Sequence, residues 1–186
     1  MLRLIASVEL VACWLAWWYP FLFRAPHVQK RSSITVAGPT RAGLLLETGA
    51  ILIAFLFRLP ADAPPGAARL AACMLVSPLA PLLSWTSVRH LGRQFRIHAG
   101  LYHDHELVRT GPYAIVRHPI YTSLLAILLG TLLLLTPGKW MAVSLALFIA
   151  GTEIRVRTED RLLSGRFGPV FDDYRRRVRA YIPFVR

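Results

Sequence analysis

Five long apolar runs divide this chain, and their length constrains the fold more than any other feature. The runs extend from about Leu4 to Phe23, Ala42 to Leu59, Ala67 to Val88, Pro119 to Leu135, and from about Trp140 onward. About 20 apolar residues are what an α-helix needs to cross the hydrocarbon core of a bilayer. Charged residues make up 17% of the 186 residues, where soluble domains carry about 25%. The sequence therefore predicts an all-α integral membrane helical bundle of about five transmembrane helices.

Prolines predict where these helices bend, begin and end. Pro78 and Pro81 lie inside the third run and should kink it. Pro119 stands where the fourth helix should begin, because proline is favoured in the first turn of a helix. The fifth run continues past Gly151 with no proline before Pro169. We therefore expect one long helix that leaves the bilayer and extends into the cytoplasm as a helical C-terminal segment.

The basic residues lie between the apolar runs. The formal net charge is +12, from 22 basic and 10 acidic residues. Residues 24–41 hold four basic and no acidic residues, residues 89–117 hold five and two, and the tail from Glu153 holds nine and five. With five helices all three segments fall on one side of the membrane, so basic cytoplasmic loops explain the charge and no nucleic-acid partner is expected. This arrangement predicts an N-terminus outside and a C-terminus in the cytoplasm, in a bacterial inner membrane, with a short helix over residues 174–179 near anionic headgroups.

Thiols and imidazoles do not indicate a metal site. Cys13 and Cys73 both lie inside apolar runs, which predicts buried and inert thiols. The spacing of His98, His103 and His105 does not place them together on one helical face. We therefore expect no metal cofactor.

Two charged motifs are candidates for binding an anion. Arg117 and His118 precede Pro119, and the free N–H groups of a helix start attract a carboxylate or a phosphate. Arg155 and Glu159 are four residues apart on one face of the predicted fifth helix. There the guanidinium could hold a carboxylate ligand while the glutamate fixes the arginine. The alternatives are an interfacial anchor at Arg117 and a solvated ion pair at Arg155.

Several motifs of the second half of the chain occur in a recognisable order. They are Gly111-Pro112-Tyr113, Arg117-His118-Pro119-Ile120-Tyr121, Glu159, Phe167-Gly168, Tyr174 and Ile182-Pro183-Phe184. The pattern resembles the isoprenylcysteine carboxyl methyltransferase family of integral membrane enzymes, and related phospholipid N-methyltransferases share much of it. Two departures are Ser123, where relatives commonly have glycine or alanine, and an acidic run reduced to Glu159-Asp160.

The resemblance implies a site for S-adenosylmethionine in a cytoplasmic pocket and a lipid substrate that enters sideways from the bilayer. It implies cofactor contacts from His98, His105, Glu106, Leu107, Val108, Tyr113, His118, Pro119, Ile120 and Tyr121. It also implies that Arg155 and Glu159 face the substrate as the catalytic pair. Residues 1–88 would form three N-terminal membrane helices with a basic loop at 24–41. Residues 89–186 would form the catalytic region, with the cofactor loop, a helical hairpin at 119–153 and a cytoplasmic tail.

Four functions follow from these residues. The leading one is methylation of a lipid-borne acceptor, most simply the carboxylate of an isoprenylcysteine-type substrate, which is already ionised and needs no strong base. A phospholipid amine as acceptor would need a general base, for which Glu159 or a histidine is the candidate. An isoprenoid or sterol double-bond reductase would bind a nicotinamide cofactor instead. A non-catalytic membrane interaction protein would bind neither cofactor.

Overall fold

Seven α-helices dominate the computed structural model, which describes residues 1–24, 33–35, 38–60, 62–95, 100–102 and 106–185. The helices are α1 (Leu2–Tyr19), α2 (Gly38–Leu56), α3 (Ala67–Val76), α4 (Leu79–Leu91), α5 (Pro119–Leu135), α6 (Gly138–Phe167) and α7 (Pro169–Arg177). A π-helical turn at Pro20–Arg24 continues α1, and short 3₁₀ turns cover Gly92–Gln94 and Gly111–Ala114. The all-helical expectation is confirmed in this architecture, apart from one small addition.

That addition is a pair of three-residue strands that the sequence did not predict. Strand β1 (Ser33–Thr35) pairs antiparallel with β2 (Gly100–Tyr102), with Ile34 opposite Leu101. The strands lie in the two long connections, before α2 and after α4. Their pairing therefore joins those connections at one end of the bundle.

Three helical stretches of the described chain are long and apolar enough to cross a membrane. They are Leu2–Phe23, Pro39–Leu56 and Ala67–Gln94. The third is interrupted at Ser77 and Pro78, between α3 and α4, as predicted for Pro78, whereas Pro81 lies within the first turn of α4. Helix α5 is strongly apolar but has only 17 residues.

Helix α6 runs unbroken for 30 residues, as the absence of proline predicted. Because an α-helix rises 1.5 Å per residue, α6 is about 45 Å long. The predicted tail helix is displaced along the chain, since α7 begins at Pro169 and ends at Arg177. Proline at its first turn explains the earlier start.

Helix α5 is the centre of the bundle. One buried cluster joins it to α1, α3 and α4, and includes Leu10, Trp17, Cys73 and Ile127. A second joins it to α2 and α6, and comprises Ala50, Ala54, Leu128, Leu132 and Phe148. Large apolar side chains such as Leu45 of α2, which is 73% exposed, cover the outside of the bundle. This is the distribution of a bundle that faces lipid.

Hydrogen bonds between helices hold the first cluster together. The indole Nε1 of Trp14 donates to Thr131 Oγ1 at 3.0 Å, and that of Trp17 donates to Ser123 Oγ at 2.9 Å. The Ser123 hydroxyl donates in turn to the Ile120 carbonyl at 2.7 Å. Ser123 therefore contributes to packing between α1 and α5, where interhelical polar contacts stabilise membrane helices.

Two glycines bring α2 and α6 unusually close. A Cβ atom added at Gly151 would lie 2.6 Å from the Gly43 carbonyl oxygen and 3.0 Å from Leu46 Cβ. Such small-residue contacts let helix backbones approach in membrane bundles. The close approach places the side chain of Glu47, on α2, against α6.

Candidate active site

The C-terminal segment, residues 178–185 after α7, is hydrogen-bonded to the start of α5. The backbone N–H of Arg117 donates to the Arg179 carbonyl, and that of His118 donates to the Ala180 carbonyl, both at 2.8 Å. The Thr122 hydroxyl donates to the Tyr181 carbonyl at 2.7 Å. The residues after α7 thus close one end of the bundle, beside the C-terminal half of α6.

His118 lies at the centre of this end, between two carboxylates of α6. It is the N-cap residue of α5, which begins at Pro119 as predicted. Its ring Nδ1 lies 3.2 Å from Glu159 Oε2, and its Nε2 lies 2.9 Å from Asp160 Oδ1. Asp160 also pairs with the buried guanidinium of Arg117 at 2.8 Å. The anionic groups at this helix start are therefore supplied by α6.

These contacts determine the charges of the groups involved. Burial by itself lowers the pKa of His118, but hydrogen bonds to Asp160 and Glu159 outweigh it and raise that pKa to about 9. Burial raises the pKa of Glu159 and of Asp160, yet the hydrogen bonds with His118 bring both below their usual values. At neutral pH an imidazolium ion therefore lies between two ionised carboxylates.

The raised pKa of His118 predicts a loss of stability at alkaline pH. Its folded pKa of about 9 exceeds the ordinary value of about 6.5, so the proton is held more tightly in the folded state. The resulting stabilisation is complete below about pH 6.5 and is lost as the pH rises through about 9. We expect the thermal unfolding midpoint to fall over that range, and to fall less in His118→Gln. An equally steep decline in the variant would contradict this assignment.

Arg155 pairs with a residue that the sequence did not predict. Its Nη1 donates to Glu47 Oε2 at 2.5 Å, and Glu47, which is 1% exposed, also accepts a hydrogen bond from Thr152 at 2.9 Å. The expectation that Glu159 fixes Arg155 was wrong. The close approach of α2 and α6 offers Arg155 a nearer carboxylate, and Glu159 is held elsewhere.

Tyr121 lies between Arg155 and Glu159. Its hydroxyl donates to Glu159 Oε1 at 2.5 Å, and the Arg155 guanidinium lies 4.8 Å from the centre of its ring. A cation over an aromatic face is a favourable contact. One continuous polar network therefore runs from Glu47 through Arg155 and Tyr121 to Glu159 and His118.

The structure describes six of the eight remaining predicted cofactor residues. Tyr113 is buried in the 3₁₀ turn, and its carbonyl accepts a hydrogen bond from Tyr174 Oη at 2.5 Å. Pro119 is buried and Ile120 half-buried in the first turn of α5. Residues 106–108 lie in an irregular segment before the 3₁₀ turn, where Glu106 is exposed and Leu107 and Val108 are half-buried. His98 and His105 lie outside the described residues.

The turn that carries Tyr113 depends on a glycine. Gly111 has a φ of +60°, and a Cβ there would lie 2.3 Å from His90 Nε2. Both the backbone conformation and the contact therefore require glycine. Burial raises the pKa of Tyr113 well above its usual value, so its hydroxyl stays protonated.

The sequence did not predict that Glu47 binds Arg155, or that Asp160 binds Arg117 and His118. A signal for Glu47 was present, because an acid inside an apolar run is costly in a membrane unless it has a partner. Asp160 was noted only as part of a shortened acidic run. Its pairing with Arg117 and His118 spans more than 40 residues and has no local signature.

Several buried polar atoms of the described chain have no hydrogen-bond partner. They are Gln94 Oε1, Arg117 Nε and Arg155 Nε, while the hydroxyls of Tyr113 and Ser87 interact with each other. Buried polar groups are usually satisfied, so the two arginine Nε atoms at the candidate site are free to donate to a polar group. Among the described residues, no group of three or more His, Cys, Asp or Glu side chains is placed so that it could hold a metal ion. Cys13 and Cys73 are buried free thiols.

Comparisons with known proteins place the site in context. The isoprenylcysteine carboxyl methyltransferase (ICMT) family profile matches residues 71–165. A nickel-cobalt-cadmium resistance protein, NccN, of Alcaligenes xylosoxydans xylosoxydans is 44% identical over 42% of this chain and 36% of its own length. The protein-S-isoprenylcysteine O-methyltransferase of Schizosaccharomyces pombe is 38% identical over 44% of this chain and 35% of its own length. The matched segment thus spans about a third of these relatives.

Proposed function

Because this chain belongs to the isoprenylcysteine carboxyl methyltransferase family, we propose that it transfers a methyl group from S-adenosylmethionine to a lipid-borne carboxylate. The acceptor is the C-terminal carboxylate of an isoprenylcysteine-type substrate. The name of the Schizosaccharomyces pombe relative supports this reaction, and so does the arrangement of Arg155.

The observation that carries this proposal is the half-satisfied guanidinium of Arg155. Glu47 holds one nitrogen, Nη1, while the buried Nε has no partner among the described residues. The side chain of Arg155 is only 12% exposed. A substrate carboxylate would satisfy Nε and Nη2 together, since arginine binds carboxylates through two parallel hydrogen bonds. Glu47 would keep the guanidinium in place before the substrate arrives.

Methyl transfer to a carboxylate needs alignment more than proton transfer. The cofactor supplies an electrophilic methyl group bound to a sulfonium ion. A carboxylate oxygen of the substrate would form the new bond to that carbon as the carbon–sulfur bond breaks, and the electron pair would stay on sulfur. The products are a methyl ester and a neutral thioether, with no proton moved. Arg155 would orient the acceptor, and the buried site would exclude water.

The residues proposed to hold the cofactor are those at the start of α5 and in the segment before it. They are His98, His105, Glu106, Leu107, Val108, Tyr113, His118, Pro119, Ile120 and Tyr121. One observation fits a polar cationic ligand there. The carboxylate of Glu159, whose pKa is lowered by its contacts with His118, keeps a negative charge beside the site.

The same charges disfavour a phospholipid amine as acceptor. An ammonium group must lose a proton before it can be methylated, and a general base has to take it. His118, with its pKa raised to about 9, already carries a proton at neutral pH. The pKa of Glu159 lies below its usual value, which makes its carboxylate a weaker base.

We also propose that five helices cross the membrane, with the N-terminus outside. Helix α5 is about 25 Å long, close to the thickness of a thin bilayer core. Helix α6 is long enough to cross the bilayer and extend into the cytoplasm with α7. This arrangement in a bacterial inner membrane puts the site at the cytoplasmic face, where a lipid substrate enters from the bilayer. Residues 1–88 then form three membrane helices, and residues 89–186 form the catalytic region.

Titration of the detergent-purified protein with S-adenosylmethionine and with its demethylated product tests the proposal. We expect saturable binding of both, and about tenfold weaker binding after Tyr121→Ala, which corresponds to about 1.4 kcal/mol. Tyr19→Ala removes a partly exposed tyrosine of α1 and serves as the matched control. A folded, monodisperse preparation that binds a nicotinamide cofactor but not S-adenosylmethionine would favour the reductase. One that binds neither would favour a non-catalytic protein.

A further inference from the structure

A basic cavity lies beside the catalytic network, between α6, α7 and the C-terminal segment. Its volume is about 630 Å³. The charged residues that line it are Arg117, Arg157, Arg161, Arg175, Arg179 and Asp160. Asp160 pairs with His118, and Arg117 pairs with Asp160, but the other four side chains take no part in the proposed cofactor or substrate site. The cavity therefore needs a separate explanation.

The single carboxylate among these lining residues is already engaged. Asp160 pairs with Arg117 and with His118, so it offers the cavity little negative charge. Arg157 and Arg175 form exposed ion pairs of 3.1 and 3.3 Å with Glu153 and Asp172 of their own helices. Pairs of this kind contribute little energy and are readily rearranged.

Two arginines of the cavity have no ion pair with any described residue. They are Arg161 on α6 and Arg179 in the C-terminal segment. The backbone of Arg179 is fixed by its hydrogen bond with the N–H of Arg117. The cavity is thus a preformed concave surface with uncompensated positive charge, which suits a phosphate group.

Apolar side chains beside the cavity indicate that the phosphate belongs to a lipid. Val185 lines the cavity and is 73% exposed, and its neighbour Phe184 is 92% exposed. Exposed apolar side chains next to arginines are typical of segments that lie in the headgroup region of a membrane.

We propose that this cavity binds the phosphate of an anionic phospholipid from the cytoplasmic leaflet, with Arg161 and Arg179 as its main ligands. The bound lipid would fix the C-terminal segment that closes the end of the bundle over α5. The assignment of the leaflet rests on the proposed orientation of the five helices. Binding itself does not depend on methyl transfer.

The test compares two double variants that remove the same charge from the same end of the protein. Arg161→Gln with Arg179→Gln alters the cavity. Arg176→Gln with Arg177→Gln alters two side chains of α7 that are 71% and 76% exposed and do not line it. Short-chain phosphatidylglycerol is titrated into the detergent-purified proteins by calorimetry. We expect about 30-fold weaker binding in the cavity variant and a change below about threefold in the control.

Three results would overturn the proposal. The control variant could lose affinity as much as the cavity variant, which would indicate general surface attraction. Phosphatidylcholine could bind the unmodified protein as tightly as phosphatidylglycerol. Inorganic phosphate could bind as tightly as the lipid, which would identify a soluble anion as the ligand. Titration of the same preparations with S-adenosylmethionine separates this question from the proposed function, because we expect both variants to retain cofactor binding.

Discussion

Replacement of Arg155 by alanine should remove nearly all methyl transfer and leave cofactor binding close to that of the unmodified protein. The substitution removes the guanidinium proposed to hold the acceptor carboxylate, while the proposed cofactor residues stay in place. Losing a buried charge-assisted contact of this kind costs about 4 kcal/mol, so we expect kcat/KM to fall about 1,000-fold. Initial rates and cofactor titrations on the same preparation measure the two effects.

Two further variants make this result specific. Arg155→Lys keeps the charge but cannot form two parallel hydrogen bonds, so it should recover only part of the activity. Arg176→Ala removes an exposed arginine of α7 and should leave turnover unchanged. If cofactor binding fell in parallel with turnover in Arg155→Ala, Arg155 would belong to the cofactor site and the proposed division of roles would be wrong.

Replacement of Glu47 by alanine should cost both stability and turnover. It leaves the Arg155 guanidinium, only 12% exposed, without its anionic partner. Breaking a buried ion pair by removing one member destabilises a protein by about 3–5 kcal/mol. We expect a lower thermal unfolding midpoint, together with a loss of turnover because Arg155 is no longer positioned. Asp173→Asn, in an exposed ion pair of α7, should change stability by less than about 1 kcal/mol.

A double variant separates positioning from folding. Glu47→Gln with Arg155→Gln replaces the ion pair by two neutral amides and should recover much of the lost stability. It should remain inactive, because the acceptor carboxylate has no cation to bind. Equal stability losses in the single and double variants would show that Glu47 does not act through Arg155.

The structural features that the sequence predicted well are those that depend on local residue patterns. Apolar runs marked the helices, Pro119 marked the start of α5, and the stretch without proline after Gly151 marked the length of α6. Each depends on residues that are neighbours in the chain. The small sheet escaped prediction because each of its strands has only three residues, too few for a periodic pattern.

The ion-pair partner of Arg155 could not be predicted from such local patterns. Arg155 and Glu159 have a spacing that permits contact on one helix, and that spacing predicted their ion pair. The structure instead pairs Arg155 with Glu47, which is 108 residues away in sequence. This choice depends on how closely α2 and α6 approach at Gly43 and Gly151, which is a property of tertiary packing. Local spacing made Arg155 a candidate, but it did not indicate the residue that holds its guanidinium.

The most direct test of the central claim is the identity of the methylated product. The purified protein is incubated with S-adenosylmethionine labelled in its methyl group and with a farnesylated cysteine analogue. We expect a labelled methyl ester that releases methanol on treatment with base, and no product with Arg155→Ala. A base-stable label on a phospholipid amine, or reduction of an isoprenoid double bond by a nicotinamide cofactor, would contradict carboxylate methylation by this protein.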